Sequence, residues 1–345
     1  MKILIVGLDA ADYYWVKEFW DSMPNLRRLA EDGSFGHLES TAFPTTPQAW
    51  CSMYTGCTPE EHGISGFRKD GIAPIRVRPF WESLPWTIGL VNLPMVCARK
   101  NEKLRGFIVP GFSCPRIWHP SGLHPSGYVI ETTNHQPGRA RWLLGGSDRL
   151  KEGIKEAQIQ FLRFNRETER RHVDFTLRLL KQYPVDMLFI GIMLIDRIGH
   201  SFAHHRDTML DTYRTADSLL GRLLKAASPQ LTVVFSDHGM DTVDSGRIPE
   251  TVQANERDKL RKNPKKLQVR GTHTLDGIVC LSGAAIRTSK IEDAELRDIA
   301  PTLMYMINGD VPDVMSGKQL DVYSSGYTDV EQKALEESLA ALGYI

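Results

Sequence analysis

Five cysteines in 345 residues, an odd number with no CxxC pair, leave no basis for a disulfide framework or a thiolate zinc site. Cys51, Cys57, Cys97, Cys114 and Cys280 read instead as reduced, mostly buried thiols. Net charge is missing too. The 42 basic residues balance 42 acidic ones, whereas a binder of nucleic acid polymers ordinarily carries a basic excess. No apolar run reaches the ~20 residues of a membrane span. There is no internal repeat and no low-complexity tract. The apolar start at residues 3–8 is shorter than the roughly 7–15 residues of a signal-peptide core and ends in Asp9, so it reads as a first strand and the location as cytoplasmic. With 41% hydrophobic and 24% charged residues, the chain is neither disordered, collagenous nor a coiled coil. It is long enough to fold around its own core without a staple.

What is present is a rhythm of strand and helix signals. Continuous apolar runs at residues 2–8, 185–194, 230–235 and 277–282 suit strands covered on both faces. Shorter strand signals lie at 87–92 and 106–109. Helical periodicity marks 25–31, closed by Gly33, then 48–54, ending at Gly56, and also 206–227 and 298–307. Residues 147–183 read as helix in one or two pieces. Thr328, with Glu331 three residues on, opens a last helix by a capping-box pattern. This alternation predicts an α/β fold with a central, mostly parallel sheet and helices on both faces. Two segments break the rhythm. Residues 68–146, rich in Pro, Gly, Trp and Arg, read as an inserted lid. Residues 244–271 hold Arg257, Lys259, Arg261, Lys262, Lys265, Lys266 and Arg270, either a solvated loop or a basic rim that steers an anionic substrate.

Acids and histidines fall where such a sheet does its chemistry, beyond the carboxyl ends of its strands. Asp9 follows the first strand. Asp196 and His200 follow the run ending near Leu194, Asp237 and His238 follow Phe235, and His273 precedes the strand at Ile278. Adjacent strands lie about 4.8 Å apart, so these groups can converge. Asp196 and His200 share a face if their turn is helical. Six Asp and His ligands are too many for one tetrahedral ion and suit two ions about 4 Å apart in a hydrolytic centre. Singly, each has a plainer role: a turn acid at Asp9, chance spacing at Asp196 and His200, a helix cap at Asp237 and His238, a surface or core histidine at His273. Spacing alone leaves the choice open, and the conjunction at four strand ends favours metal.

A nucleophile is the missing part. Phe43-Pro44-Thr45-Thr46-Pro47 runs from a strand-like stretch into a helix start. A hydroxyl at Thr46 would sit beside free backbone N–H groups able to hold a phosphate oxygen, with a metal nearby to activate it. Equally, Thr46 could simply cap the helix.

Read together, these motifs resemble the alkaline phosphatase superfamily, and within it the type I phosphodiesterase/nucleotide pyrophosphatase branch and its small prokaryotic relatives. The matching stretches are Gly7-Leu8-Asp9, Thr46-Pro47-Gln48-Ala49-Trp50, Thr55-Gly56-Cys57-Thr58-Pro59-Glu60-Glu61-His62-Gly63-Ile64, Asp196-Arg197-Ile198-Gly199-His200, Ser236-Asp237-His238-Gly239-Met240 and Gly271-Thr272-His273. They occur in the family's order, and the likeness extends to Ile299-Ala300-Pro301-Thr302 and Leu342-Gly343-Tyr344. The resemblance implies an alkaline-phosphatase-like three-layer catalytic domain over residues 1–345. It implies two divalent ions, zinc before manganese: one on Asp196, His200 and His273, the other on Asp9, Asp237, His238 and Thr46. Thr46 would attack phosphorus and form a phosphothreonine, which water then hydrolyses with net retention.

Departures refine this. Nucleotide-hydrolysing relatives carry Asn three residues after the nucleophile, and here that position is Ala49. Cys57-Thr58-Pro59-Glu60-Glu61 lacks the Arg that sulfatases need, and Thr46 replaces the Ser of cofactor-independent phosphoglycerate mutases. His62 reads as structural. Dinucleotide binding is set aside, because Gly7-Leu8-Asp9-Ala10-Ala11 lacks the further glycines of that fingerprint. The expected substrate is a small-molecule phosphodiester, with Trp50 or lid aromatics against its ester group. A phosphomonoesterase or phosphotransferase on the same site, or a weakly catalytic phospho-ligand binder, remains the alternative. Oligomeric state is not legible.

Overall fold

The computed structural model describes residues 1–66, 75–96, 105–111, 148–242, 245–250, 252–253 and 271–323. Its strands are β1 (Ile3–Leu8), β2 (Gly33–Glu39), β3 (Thr87–Leu93), β4 (Arg105–Pro110), β5 (Met187–Ile192), β6 (Leu231–Phe235), β7 (Gly239–Thr242), β8 (Gly271–Thr274), β9 (Asp276–Gly283) and β10 (Ser289–Glu295). Its helices are α1 (Tyr13–Glu18), α2 (Pro24–Glu31), α3 (Thr46–Thr55), α4 (Pro59–His62), α5 (Asp148–Gln182), α6 (Leu194–Phe202), α7 (Arg206–Ala227) and α8 (Ile299–Asn308).

Eight strands form one sheet in the order β10-β2-β9-β6-β1-β5-β3-β4, while β7 and β8 form a separate ribbon. Only β9 runs against its neighbours, β2 and β6. The mostly parallel sheet expected from the apolar runs is therefore present. β1 shows why it is buried on both faces. Ile3 and Ile5 pack on one side with Trp50, Tyr54 and Leu303, while Leu4, Val6 and Leu8 pack on the other with Val16, Leu26, Tyr213 and Leu220. Each such side chain contributes roughly 1.5–3 kcal/mol on full burial, which makes the two apolar layers the main stabilising feature of the fold.

Helix ends follow local chemistry. Pro47, which needs no N–H partner, lies in the first turn of α3, and Gly56 closes it at φ 67°, where a side chain would be strained. Thr58 and Glu61 make a reciprocal capping box on α4. One boundary changes, and three further points are ones the sequence leaves open. Gly33 does not cap α2; Asp32 does, and Gly33 opens β2, where a Cβ would meet the Leu281 carbonyl oxygen at 2.1 Å. The helix through residues 147–183 is one piece, α5. β2 and β10 join the sheet although glycines and charges hide them from a hydropathy reading. The segment 68–146 supplies β3 and β4 to the sheet edge beyond β5, while 68–74, 97–104 and 112–146 lie outside the described residues. So do Thr328 and its expected helix, the Leu342-Gly343-Tyr344 ending, the basic residues 257–270, Cys97 and Cys114. Cys51, Cys57 and Cys280 are free, buried thiols. No helix among the described residues is long and apolar enough to cross a membrane.

Candidate functional site

The carboxyl ends of β6, β1 and β5 lie side by side, and the reversed strand β9 begins at the same edge. Asp237 follows β6, Asp9 follows β1, and Asp196 lies in the first turn of α6, which follows β5. The bond from Asp9 N–H to the Ile192 carbonyl, 3.0 Å long, fixes one strand end against the next. The β7–β8 ribbon pairs Met240 with His273 and so brings His238 beside it, the two imidazoles stacked 3.7 Å apart. Thr46 arrives from the other side, at the start of α3. All seven residues singled out from the sequence are thus brought to one place.

They form two overlapping groups. Asp196 Oδ1 lies 3.2 Å from His200 Nε2 and 3.2 Å from His273 Nε2, and the two nitrogens are 3.3 Å apart. His238 Nε2 lies 3.2 Å from Asp237 Oδ2 and 3.7 Å from Asp9 Oδ1. Ligand atoms of Asp9, Asp237 and His238 fall within 4.8 Å of one another, as do those of Asp196, His238 and His273, so His238 stands between the groups. Each imidazole turns Nδ1 to a backbone carbonyl: His238 to Gly239, His200 to Gly271 and His273 to Pro44. A carbonyl can only accept, so Nδ1 donates and each Nε2 is left facing inward, the arrangement of a metal-binding histidine.

Electrostatics point the same way. Asp9 Oδ1 and Asp237 Oδ2 are buried with no hydrogen-bond partner. Orphaned carboxylate oxygens are costly unless a cation meets them. Burial pushes both acids well above the usual carboxylate range, and neighbouring carboxylates push further: Asp237 and Asp196 on Asp9, and Asp196 on Asp237. Burial acts on Asp196 in the same sense, yet His200 and His273 outweigh it and hold Asp196 well below that range. His238 is pushed down by burial first and then by His273. Inward-facing imidazole nitrogens and crowded carboxylates fit divalent cations, and an Asp/His donor set suits zinc or manganese better than magnesium or calcium.

Thr46 is not a cap. Thr45 holds the N-cap position of α3, and its side chain makes no capping bond. The Thr46 hydroxyl lies 3.4 Å from His238 Nε2, and hydrogen bonding from the start of α3 begins only with Ala49 N–H to Thr45. The N–H groups of Thr46 and Gln48 therefore have no helical partner and face where an anion is favoured. Nor do Asp237 and His238 cap a helix; they precede β7.

Trp50 corrects another expectation. It is fully buried and cannot contact a substrate. Its Nε1–H donates to Asp9 Oδ2 at 3.1 Å, which turns Oδ1 toward His238. Phe43 is 54% exposed three residues before Thr46. His62 holds the α3–α4 corner as expected, with Ser52 Oγ 3.1 Å from Nε2 and Ile64 N–H donating to Nδ1, and burial lowers its pKa to about 4. Asp12, Asp241, Asp276 and Arg247, which no motif marked, lie just behind the ligands. Their only sequence signal is spacing, an acid three residues after Asp9, after His238 and after His273.

The model of one family, type I phosphodiesterase / nucleotide pyrophosphatase, matches residues 3–336. Among solved structures, the chain is similar to murine ectonucleotide pyrophosphatase / phosphodiesterase 5, solved as an inactive variant in complex with AMP. Identity is 13%, coverage 97% of this chain and 99% of that one, and the TM-score 0.56. The human counterpart, also 13% identical, gives a TM-score of 0.52 over 96% of this chain and 99% of that one. A variant of the alkaline phosphatase PafA, 12% identical, gives 0.53 over 93% and 99%. At such identities the likeness establishes a shared alkaline-phosphatase-like fold. No curated protein sequence matches the chain significantly.

Proposed function

Because the chain belongs to the type I phosphodiesterase / nucleotide pyrophosphatase family, we propose that it is a two-metal phosphodiesterase in which Thr46 is the nucleophile. The observation that carries this reading is the Thr46 hydroxyl, 3.4 Å from His238 Nε2 at the junction of two Asp/His groups. Asp196, His200 and His273 would hold one divalent ion, and Asp9, Asp237 and His238 the other, zinc fitting the donors best. Bound ions would lower the pKa of the hydroxyl and offset charge on the phosphoryl oxygens.

The chain's own part is geometric. The first turn of α3 offers the N–H groups of Thr46 and Gln48 to a non-bridging oxygen. Thr46 Oγ forms a bond to phosphorus as the bond to the leaving oxygen breaks, in line. Water then attacks the same phosphorus and releases Thr46, so phosphorus is displaced twice. Exposed Phe43, three residues before Thr46, would offer apolar surface to the ester group that stays on phosphorus. Ala49 offers no side-chain donor, so phosphate recognition falls to backbone and metal. The residues flanking Thr46 in sequence, Pro44 to Trp50, bring no cation to balance the second charge of a monoester. A small phosphodiester is therefore the favoured substrate.

The test is a comparison on zinc-loaded protein. The kcat/KM for bis(p-nitrophenyl) phosphate should exceed that for p-nitrophenyl phosphate at least about tenfold, roughly 1.4 kcal/mol, with the sulfate ester poorest. Equal or better use of the monoester rejects the diesterase reading.

A further inference from the structure

Behind the ligands, three carboxylates from separate parts of the chain meet one guanidinium. Arg247 Nη1 donates to Asp12 Oδ2 at 2.9 Å, to Asp12 Oδ1 at 3.1 Å and to Asp276 Oδ2 at 2.9 Å, and Nη2 donates to Asp241 Oδ2 at 2.6 Å. Asp12 lies three residues after Asp9, Asp241 three after His238, and Asp276 three after His273. The acids occupy the β1–α1 turn, the strand β7 and the start of β9. Arg247 thus ties together the three segments that carry those candidate ligands, one of them from the group around Asp196 and two from the group around Asp9.

The clamp is built rather than incidental. Asp12 is fully buried and also accepts from Thr274 Oγ1 at 2.8 Å and from Tyr14 N–H at 3.0 Å, and its own N–H donates to Tyr213 Oη. His37 Nε2 braces Asp276 at 2.9 Å. The Tyr14 ring lies over the guanidinium at 4.6 Å. A surface ion pair contributes little. One planar fork shared by three carboxylates fixes directions as well as charge, which an ammonium group cannot reproduce.

We propose that Arg247 is a positioning residue that holds the Asp9, His238 and His273 segments at metal-ready separations before any cation binds. This rests on the metal-centre reading above, and it concerns how the centre is preorganised rather than which residues coordinate. Partners behind metal ligands typically change metal affinity about 10–100-fold when removed.

The experiment is zinc titration by calorimetry of chelator-stripped wild type, Arg247→Met, Arg247→Lys and Asp241→Asn, each shown folded by circular dichroism. A further variant, Arg222→Met, breaks the half-exposed pair with Asp174 and serves as the control. Cobalt spectra read the coordination geometry independently of turnover. Arg247→Met should bind zinc about 10–100-fold more weakly with an altered cobalt spectrum. Arg247→Lys should fail to restore the wild-type values, Asp241→Asn should lie between, and the control should match wild type. If Arg247→Met does not fold, Asp241→Asn carries the test, since it removes one arm of the clamp without a change in size. Wild-type affinity and spectrum in the folded variants would overturn the proposal and leave the metal-centre reading intact. Failure of the wild type itself to take up zinc would overturn both.

Discussion

Replacing Gly7 by Ala tests how the sheet is shaped around the site. Gly7 is the penultimate residue of β1, in register with Gly191 on β5. Together they leave a trough for the Trp50 indole. A Cβ on Gly7 would meet Trp50 Cη2 at 2.2 Å and Cζ2 and Cζ3 at 2.9 Å. The indole cannot step aside, because it is fully buried, stacked on Phe189 with centroids 6.0 Å apart and edge-on to Phe235 at 5.1 Å. Moving it also breaks the bond to Asp9. Overpacking of this kind costs about 1–3 kcal/mol, and leaving the buried Asp9 oxygen unpaired about 1–3 kcal/mol. The stiffer unfolded chain returns about 0.4–1 kcal/mol. Gly7→Ala should therefore destabilise the protein by about 3 kcal/mol. Trp50→Phe, which leaves a void and an unpaired Asp9 oxygen, should cost about 2–3 kcal/mol alone. In the double variant the smaller ring makes room for the new methyl group, so the two costs should fall short of their sum by at least about 1.5 kcal/mol. Urea unfolding of all four proteins, followed by far-UV circular dichroism with chelator present throughout, measures the cycle. Additivity within about 0.5 kcal/mol would refute the trough.

Chelation should abolish hydrolysis and lower the melting temperature, and zinc should restore both better than magnesium, because an ion bound only by the folded state stabilises it by mass action. Metal analysis finding only trace metal in active protein would sink the two-metal reading. Thr46→Ala should lower turnover by several orders of magnitude while leaving the fold intact, since the Thr46 side chain caps nothing. Thr46→Ser should keep measurable activity, and a near wild-type rate for the alanine variant would remove Thr46 from the mechanism.

The parts of this protein that are legible in sequence are those governed by local pattern. Buried parallel strands are continuous apolar runs, so β1, β5 and β6 stand out, and with them the strand-end positions of Asp9, Asp196 and Asp237. Asp196 and His200 could be placed on one face because helical spacing is local. Pairing is not local. Nothing in Asp276–Gly283 says that β9 runs against its neighbours, and the edge strand β10, with Lys290, Glu292 and Asp293, carries too little apolar surface to register as a strand. Trp50 reads equally well as a substrate contact or a core residue, and only the glycines at 7 and 191, far apart in sequence, decide for the core. Asp12, Asp241 and Asp276 look like ordinary turn acids until their carboxylates are seen on one guanidinium.

The central claim is that Thr46 is displaced from phosphorus in a second step. It is tested most directly by the stereochemical course of hydrolysis, with a diester made chiral at phosphorus by sulfur and cleaved in oxygen-18 water. Two in-line displacements, first by Thr46 and then by water, predict net retention of configuration. Net inversion would mean that water attacks phosphorus in a single displacement, and that Thr46 is not the nucleophile.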